Sequence, residues 1–330
     1  MIRRLVLNFQ DERSRWAITK EALTRIEAML PLDWELVNVT APVSSRGDGG
    51  GVSSEALDAV RDATVYAGFG FPRELFAAAT KLKWVHTGTA GVASMLYPEL
   101  LASDVVLTNS AGIHAPPMAE TVVGMILYFA RGFDFATDAK MRGVWDQNAF
   151  ETTASPAREI AGARLAIIGL GGVGAEVKER AEALGMDVEG VRKQHSRTEL
   201  RMLLSDCDYL LVAAPSTSET KGMLGARELG WLQPSAVVIN VARGDILDEN
   251  VLIEMLRKGR LRGAALDVFA QEPLPEDSPL WKLPNVFVMP HVSATTPKFW
   301  DREVELIEDN FRRFLAREEL INVVDKSAGY

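Results

Sequence analysis

The sequence predicts an α/β chain of two doubly wound parallel-sheet domains, the second inserted into the first. Three observations predict it. Short apolar runs alternate with amphipathic helical stretches along nearly the whole chain, the pattern of parallel strands joined by crossover helices. The length of 330 residues accommodates about two domains at roughly 150 residues each. The alternation starts afresh near residue 163, beyond a long apolar helix.

The first domain opens with a strand at residues 2–9 (IRRLVLNF), then an amphipathic helix at 21–30 and, past Pro31, a strand at 34–39. Residues 44–54 (SSRGDGGGVSS) have the Ser and Gly content of a surface loop or turn. Strands at 63–68 and 83–86 flank a helix near 73–79, and the domain runs to residue 114. Pro116 and Pro117 stand where a helix can begin, because its first amides need no acceptor inside the helix. The helix 118–131 is apolar on nearly every face, as a helix buried between domains or subunits is. It is the expected connector, and its burial favours a homodimer. The second domain is expected over residues 115–296, with this connector at 117–131 and strands at 163–168, 187–191, 209–213, 236–241, 263–268 and 286–289. The last helix, 296–315, is long enough to return to the first domain, which therefore combines 1–114 with 297–330.

Composition excludes several classes. Hydrophobic residues at 47% and charged residues at 25% are an ordinary globular balance, unlike a disordered, coiled-coil or collagen-like chain. A net charge of −9 argues against nucleic acid or an anionic membrane as partner. No apolar run approaches the ~20 residues of a bilayer span, and Glu120 interrupts the best candidate. Arg3 and Arg4 precede an apolar stretch too short for a signal peptide. The single cysteine, Cys207, suits a reducing cytosol, so a cytoplasmic location is expected. Cys207 has no ligand set around it, and no metal is expected.

The strongest local signal is Gly169-Leu170-Gly171-Gly172-Val173-Gly174, placed directly after a strand and opening a helix. In that context the spacing predicts a dinucleotide-binding, Rossmann-like turn. Gly169 permits the tight turn, Gly171 the approach of a pyrophosphate, and Gly174 the packing of helix on strand. Gly172 and Val173 open the helix, whose free amides and positive dipole end attract phosphate. A glycine-rich turn without a ligand is the competing reading. An NAD site usually has an acid at the end of the next strand. Here the strand runs into Arg192-Lys193-Gln194-His195-Ser196-Arg197. Arg192, with Lys193 or Arg197 adding charge, suits a 2′-phosphate, so NADP(H) is preferred and NAD(H) is the alternative. The alternative is a solvated basic loop.

Arg243, Asp267, Glu272 and His291 each follow an apolar strand, where doubly wound sheets bind ligands. Cation, acid and imidazole on one rim can bind a carboxylate, orient a proton donor and transfer a proton. Singly, each is an ordinary loop or capping residue.

The segments Val241-Ala242-Arg243-Gly244, Leu266-Asp267-Val268-Phe269 with Gln271-Glu272-Pro273-Leu274, and Pro290-His291 stand in order behind the glycine loop. Together with 210–220 (LLVAAPSTSET) and 224–229, they resemble the D-isomer-specific 2-hydroxyacid dehydrogenase family. The resemblance implies hydride transfer between NAD(P)H and a small 2-oxo acid of the glyoxylate or hydroxypyruvate type, giving the D-2-hydroxy acid. It implies that Arg243 pairs with the substrate carboxylate and polarises the 2-oxo group. His291 is implied to exchange the proton, and Glu272 to orient the ring and stabilise its protonated form. Asp267 is implied to bind the nicotinamide carboxamide, and Pro215, Val241 and Ala242 to line the cofactor. The segment 87–92 (TGTAGV) is similar to the family's substrate loop, which gives Ala90 and Gly91 as carboxylate contacts, although Ala93 and Ser94 stand where an acidic residue commonly follows. The active site is expected in the cleft between the domains, and a homodimer is implied.

Two other readings stay open: a dinucleotide-sensing, corepressor-like binding protein without turnover, and an NAD-dependent D-lactate or glycerate dehydrogenase. Glu272 argues against formate, since the formate dehydrogenases of the superfamily carry glutamine there. His86 beside the substrate loop reads as structural more readily than as a substrate contact. His114 is given no role. Trp145 reads as a packing residue, with a neighbouring subunit's site as the alternative. Phe69, Phe71, Trp84 and Met95 are candidates for the substrate pocket, with the core as the more ordinary fate.

Overall fold

Strands whose side chains are apolar on both faces need cover on both faces, and both sheets are built this way. The computed structural model describes residues 2–42, 51–152, 155–191, 196–327 and 329, and divides the chain into two units. The first unit, Met1–His114 with Thr296–Tyr330, contains β1 (Arg3–Asn8), β2 (Trp34–Asn38), β3 (Val65–Gly68), β4 (Trp84–Thr87) and β5 (Val106–Asn109). They form a parallel sheet in the order β2-β1-β3-β4-β5. Alternate side chains point to opposite faces. Leu5, Leu7, Val65 and Ala67 meet Ile26 of the helix Lys20–Ala28 and Phe299, Val304, Ile307 and Phe311 of the helix Phe299–Ala316. Val6, Tyr66 and Val85 meet the opposite layer, with Val60, Phe71, Leu75 and Leu100.

The second unit, Ala115–Thr295, contains β6 (Arg164–Ile168), β7 (Asp187–Val191), β8 (Tyr209–Val212), β9 (Val237–Asn240), β10 (Gly263–Leu266) and β11 (Val286–Val288). The order is β11-β10-β9-β8-β6-β7, again parallel throughout. Leu165, Ile167, Leu211 and Ile239 pack under Val122, Ile126 and Phe129 of the helix Ala115–Ala130 and under Val177 of the helix Gly172–Ala183. Ala166, Ile168, Leu210, Val212 and Val238 face Leu252, Ile253 and Leu256 of the helix Glu249–Arg257.

The structure departs from expectation in four places. Strand β5 was not foreseen, because Val106-Leu107-Thr108-Asn109 is short and half polar. The helix Ser54–Val60 begins inside the expected loop, capped by the Ser53 hydroxyl, while residues 44–50 of that loop lie outside the described residues. The helix Phe133–Arg142 was also unforeseen. Its Asp134 receives two hydrogen bonds from Arg262, at 2.6 and 2.9 Å, and that guanidinium lies over the rings of Phe129 and Phe135. Finally, the apolar helix Ala115–Ala130 is not covered all round by its own chain: Glu120 and Gly124 are exposed.

Candidate active site

The glycine loop leaves β6 next to β8, at the point where the connections from neighbouring strands run in opposite directions and doubly wound sheets open a crevice. A β-carbon at Gly174 would lie 2.0 Å from the Gly169 carbonyl oxygen, so the turn closes on itself only with glycine there. At Gly171 an added β-carbon meets nothing within 4 Å. Gly171 is the N-cap of the helix Gly172–Ala183 and offers no capping side chain to the first amides of that helix. Open room at Gly171 beside a helix N-terminus fits a dinucleotide pyrophosphate. Pro215 is exposed beyond the end of β8, its carbonyl accepting from the Thr220 hydroxyl at 2.6 Å. Arg192, Lys193 and His195 lie outside the described residues. Ser196, just beyond them, caps the helix Arg197–Asp206 in a reciprocal capping box with Glu199.

Three neighbouring strands carry the remaining candidates at their carboxyl ends. β9 ends at Asn240, which is fully buried, and its amide donates to the Arg243 carbonyl at 2.9 Å and accepts from the Ala242 N–H at 3.0 Å. Asn240 thereby fixes the turn that presents Arg243. Val241 is buried and donates to the Val212 carbonyl. Arg243 is half-buried, with Nη1 donating to the Ala242 carbonyl at 2.8 Å. The next residue must be glycine, since a β-carbon at Gly244 would fall 1.9 Å from the Phe269 carbonyl carbon.

Beyond β10, Glu272 accepts from the Phe269 N–H at 3.0 Å through Oε1 and bonds His291 Nδ1 at 2.7 Å through Oε2. The imidazole is 48% exposed and follows β11, with Nδ1 taken up by Glu272. Asp267 is fully buried, and its carboxylate accepts from the Val292 N–H at 2.8 Å and from the Ser293 N–H at 3.1 Å. Among the described residues no group of three or more His, Cys, Asp and Glu is placed to hold a metal ion.

In the first unit, Ala90 and Gly91 lie on the loop after β4. The Asn109 amide holds the Ala90 carbonyl at 2.9 Å, and the Thr89 hydroxyl holds the Gly91 carbonyl at 2.8 Å. His86 is fully buried, with Nδ1 on the Thr108 hydroxyl at 2.8 Å and Nε2 on Glu303 at 3.0 Å, so both ring nitrogens are engaged and it is closed to a substrate. Ser110 joins that network, donating to Glu303 at 2.7 Å. Phe69, Phe71, Trp84 and Met95 are core residues. Trp145 is 88% exposed, contrary to the packing role expected of it. Asn240 and Ser293 escaped sequence reasoning. The only trace of each is a polar residue closing an apolar strand or trailing the histidine.

Comparison with known proteins fits this arrangement. Residues 123–293 match the model of the D-isomer specific 2-hydroxyacid dehydrogenase NAD binding domain. The glyoxylate reductase of Korarchaeum cryptofilum is 30% identical over 263 residues, 77% of this chain and 79% of that protein. The D-3-phosphoglycerate dehydrogenase of Methanocaldococcus jannaschii is 30% identical over 82% of this chain, and the chain spans only 53% of that protein's length. A D-isomer specific 2-hydroxyacid dehydrogenase from Xanthobacter autotrophicus Py2, solved with NADPH and MES, superposes with a TM-score of 0.80 at 29% identity, covering 100% of both chains. An NADPH-dependent glyoxylate/hydroxypyruvate reductase from Sinorhizobium meliloti, solved with NADP and sulfate, gives 0.77 at 26% identity over 99% of this chain and 100% of that one. With the glycine loop, the arginine and the glutamate–histidine pair all in place, the chain belongs to the D-isomer specific 2-hydroxyacid dehydrogenase family and is an NAD(P)-dependent oxidoreductase.

Proposed function

We propose that the protein reduces a small 2-oxo acid of the glyoxylate or hydroxypyruvate type to the D-2-hydroxy acid, with NADP(H) preferred over NAD(H). The hydrogen bond between His291 and Glu272 carries the reading, because it commits Nδ1 to the carboxylate and leaves Nε2 to exchange a proton. Bound reduced nicotinamide supplies the hydride. Gly171, Gly172, Val173 and Gly174 hold the dinucleotide phosphates, and Pro215, Val241 and Ala242 flank it. Arg243 grips the substrate carboxylate with its planar fork and draws electron density from the 2-oxo group. His291 donates its Nε2 proton to the carbonyl oxygen as that oxygen gains charge, and takes it back in the reverse direction. Ala90 and Gly91 offer backbone amides as further carboxylate donors.

The missing acid and the basic residues Arg192 and Lys193 support the NADP(H) preference. A homodimer is supported by Phe133, Met141, Val144 and Trp145, apolar residues close in sequence that are exposed at 50, 81, 48 and 88%. The buried free thiol of Cys207 accords with a cytoplasmic location, and among the described residues no helix is long and apolar enough to cross a membrane.

The test is oxidation of NADPH and of NADH by the purified protein with glyoxylate, hydroxypyruvate, pyruvate and phenylpyruvate. Turnover with NADPH preferred is expected, and Arg192→Asp should weaken NADPH far more than NADH. Tight dinucleotide binding without turnover on any acid would replace the proposal with the sensor reading.

A further inference from the structure

We infer that Asp267 and Ser293 are positioning residues for His291, a buried carboxylate clamping the two residues behind the histidine so that its backbone can hold only one course. The inference rests on the proposed role of His291 as proton donor.

Pairing between β10 and β11 ends where the Met289 N–H donates to the Leu266 carbonyl at 2.8 Å. Past that point the strands have no ladder, and the side chain of Asp267, the residue after Leu266, takes over. It receives the Val292 N–H on Oδ1 at 2.8 Å, and the Ser293 N–H at 3.1 Å together with the Ser293 hydroxyl on Oδ2. Asp267 and Ser293 are 0 and 3% exposed, so these donors replace water for a charge that burial would otherwise penalise. The far side of the turn is tied as well, since the Thr121 hydroxyl donates to the Ser293 carbonyl at 3.3 Å.

The residue held by this clamp is the one that needs it. His291 has φ +56°, in the left-handed region that a β-carbon disfavours. Such a conformation persists only where the surroundings over-determine it. Here two anchors do so. Glu272 fixes the ring through Nδ1, and Asp267 fixes the backbone through residues 292 and 293. A carboxylate has about four acceptor sites, and the histidine's own loop takes three of them. The structure therefore assigns Asp267 to the histidine first, ahead of any contact with the nicotinamide carboxamide.

Ser293→Ala, Ser293→Thr, Asp267→Asn and His291→Ala test this, with kcat, KM, dinucleotide Kd, the solvent deuterium isotope effect on kcat and Tm measured for each. Ser293→Ala and Asp267→Asn should lower kcat by about tenfold to a hundredfold, as displacement of a catalytic group by a fraction of an ångström does, while KM and the dinucleotide Kd stay within about twofold. The isotope effect should rise, because a misplaced donor makes proton transfer more limiting, whereas a merely less stable fold leaves it alone. Ser293→Thr, which keeps the hydroxyl, should recover most of the loss. Should Asp267→Asn fail to fold, the Ser293 pair decides alone. Loss of dinucleotide affinity in step with kcat would assign Asp267 to the cofactor and overturn the inference, as would an unchanged kcat in Ser293→Ala. If turnover survives in His291→Ala, the proton-donor reading itself has failed. If His291→Ala is inactive while the clamp variants keep full kcat and isotope effect, the clamp alone has failed.

Discussion

His291 Nδ1 stands 2.7 Å from Glu272 Oε2, while the other oxygen of Glu272 accepts the Phe269 N–H at 3.0 Å. A carboxylate pinned at one oxygen presents the other at a fixed angle, so the pair orients the imidazole. Glu272→Gln keeps the shape and removes the charge. kcat should fall by roughly tenfold to a hundredfold, within the range that general acid–base catalysis supplies. A kcat within about twofold of wild type would detach Glu272 from the proton donor.

Arg243 comes out of β9 on a turn that the buried Asn240 holds by two hydrogen bonds. Its planar fork can meet both oxygens of a substrate carboxylate, which a lysine ammonium cannot. Arg243→Lys preserves the charge and should still lower kcat/KM by about a hundredfold, since charge-assisted hydrogen bonds are worth about 1.5–3 kcal/mol each. Raised KM together with lowered kcat is the expected signature. A kcat/KM within twofold of wild type, in steady-state assays on the best 2-oxo acid, would show that the fork is not used.

Strand–helix alternation and the glycine spacing made the parallel sheets and the turn at 169–174 legible, because burial on both faces writes itself as apolar runs. The residues that carry chemistry were legible only as polar residues after strands, and their order made them recognisable. What the sequence hid is contact across strands. Asn240 reads as the polar end of VVIN, and Ser293 as one more small residue after His291, until the fold brings each to its partner. Asp267 was given its cofactor contact by resemblance, and nothing in the spacing tells that residues 292 and 293 return to it. His86 beside the loop 87–92 gave no hint that residue 303, far along the chain, seals it off.

The glycine loop separates folding from binding. A methyl group at Gly174 meets the Gly169 carbonyl oxygen at 2.0 Å, so Gly174→Ala forces the helix Gly172–Ala183 away from β6. Both Tm and dinucleotide affinity should fall. At Gly171 the same methyl group meets nothing within 4 Å of the protein. Gly171→Ala should leave Tm nearly unchanged and weaken the dinucleotide by about tenfold or more, because the methyl group takes space that the pyrophosphate needs. Thermal melts beside fluorescence titrations of NADPH check both. Unaltered affinity in Gly171→Ala would place the phosphates elsewhere.

His114 ties the stability of the first unit to pH. Its ring stacks on Phe299 at 5.5 Å, lies 6.2 Å from Trp16, and keeps Nδ1 buried with no partner among the described residues. Burial holds the imidazole below its ordinary value of 6.5, outweighing the pull of Glu303 and the hydrogen bond to the Gly88 backbone, with Arg302 adding to the depression. The unfolded chain takes up its proton at the ordinary value and the folded chain only at lower pH, so below 6.5 the unfolded state binds more protons. The stability that a neutral His114 contributes is therefore complete above 6.5 and drains away as pH falls through the folded value. His114→Gln removes the titration. Between about pH 7.5 and about pH 5.5 the wild-type Tm should drop further than that of the variant, the difference isolating this ring from every other group that titrates in the window. Parallel Tm curves for the two proteins would mean that the ring takes up its proton alike in the folded and unfolded chains.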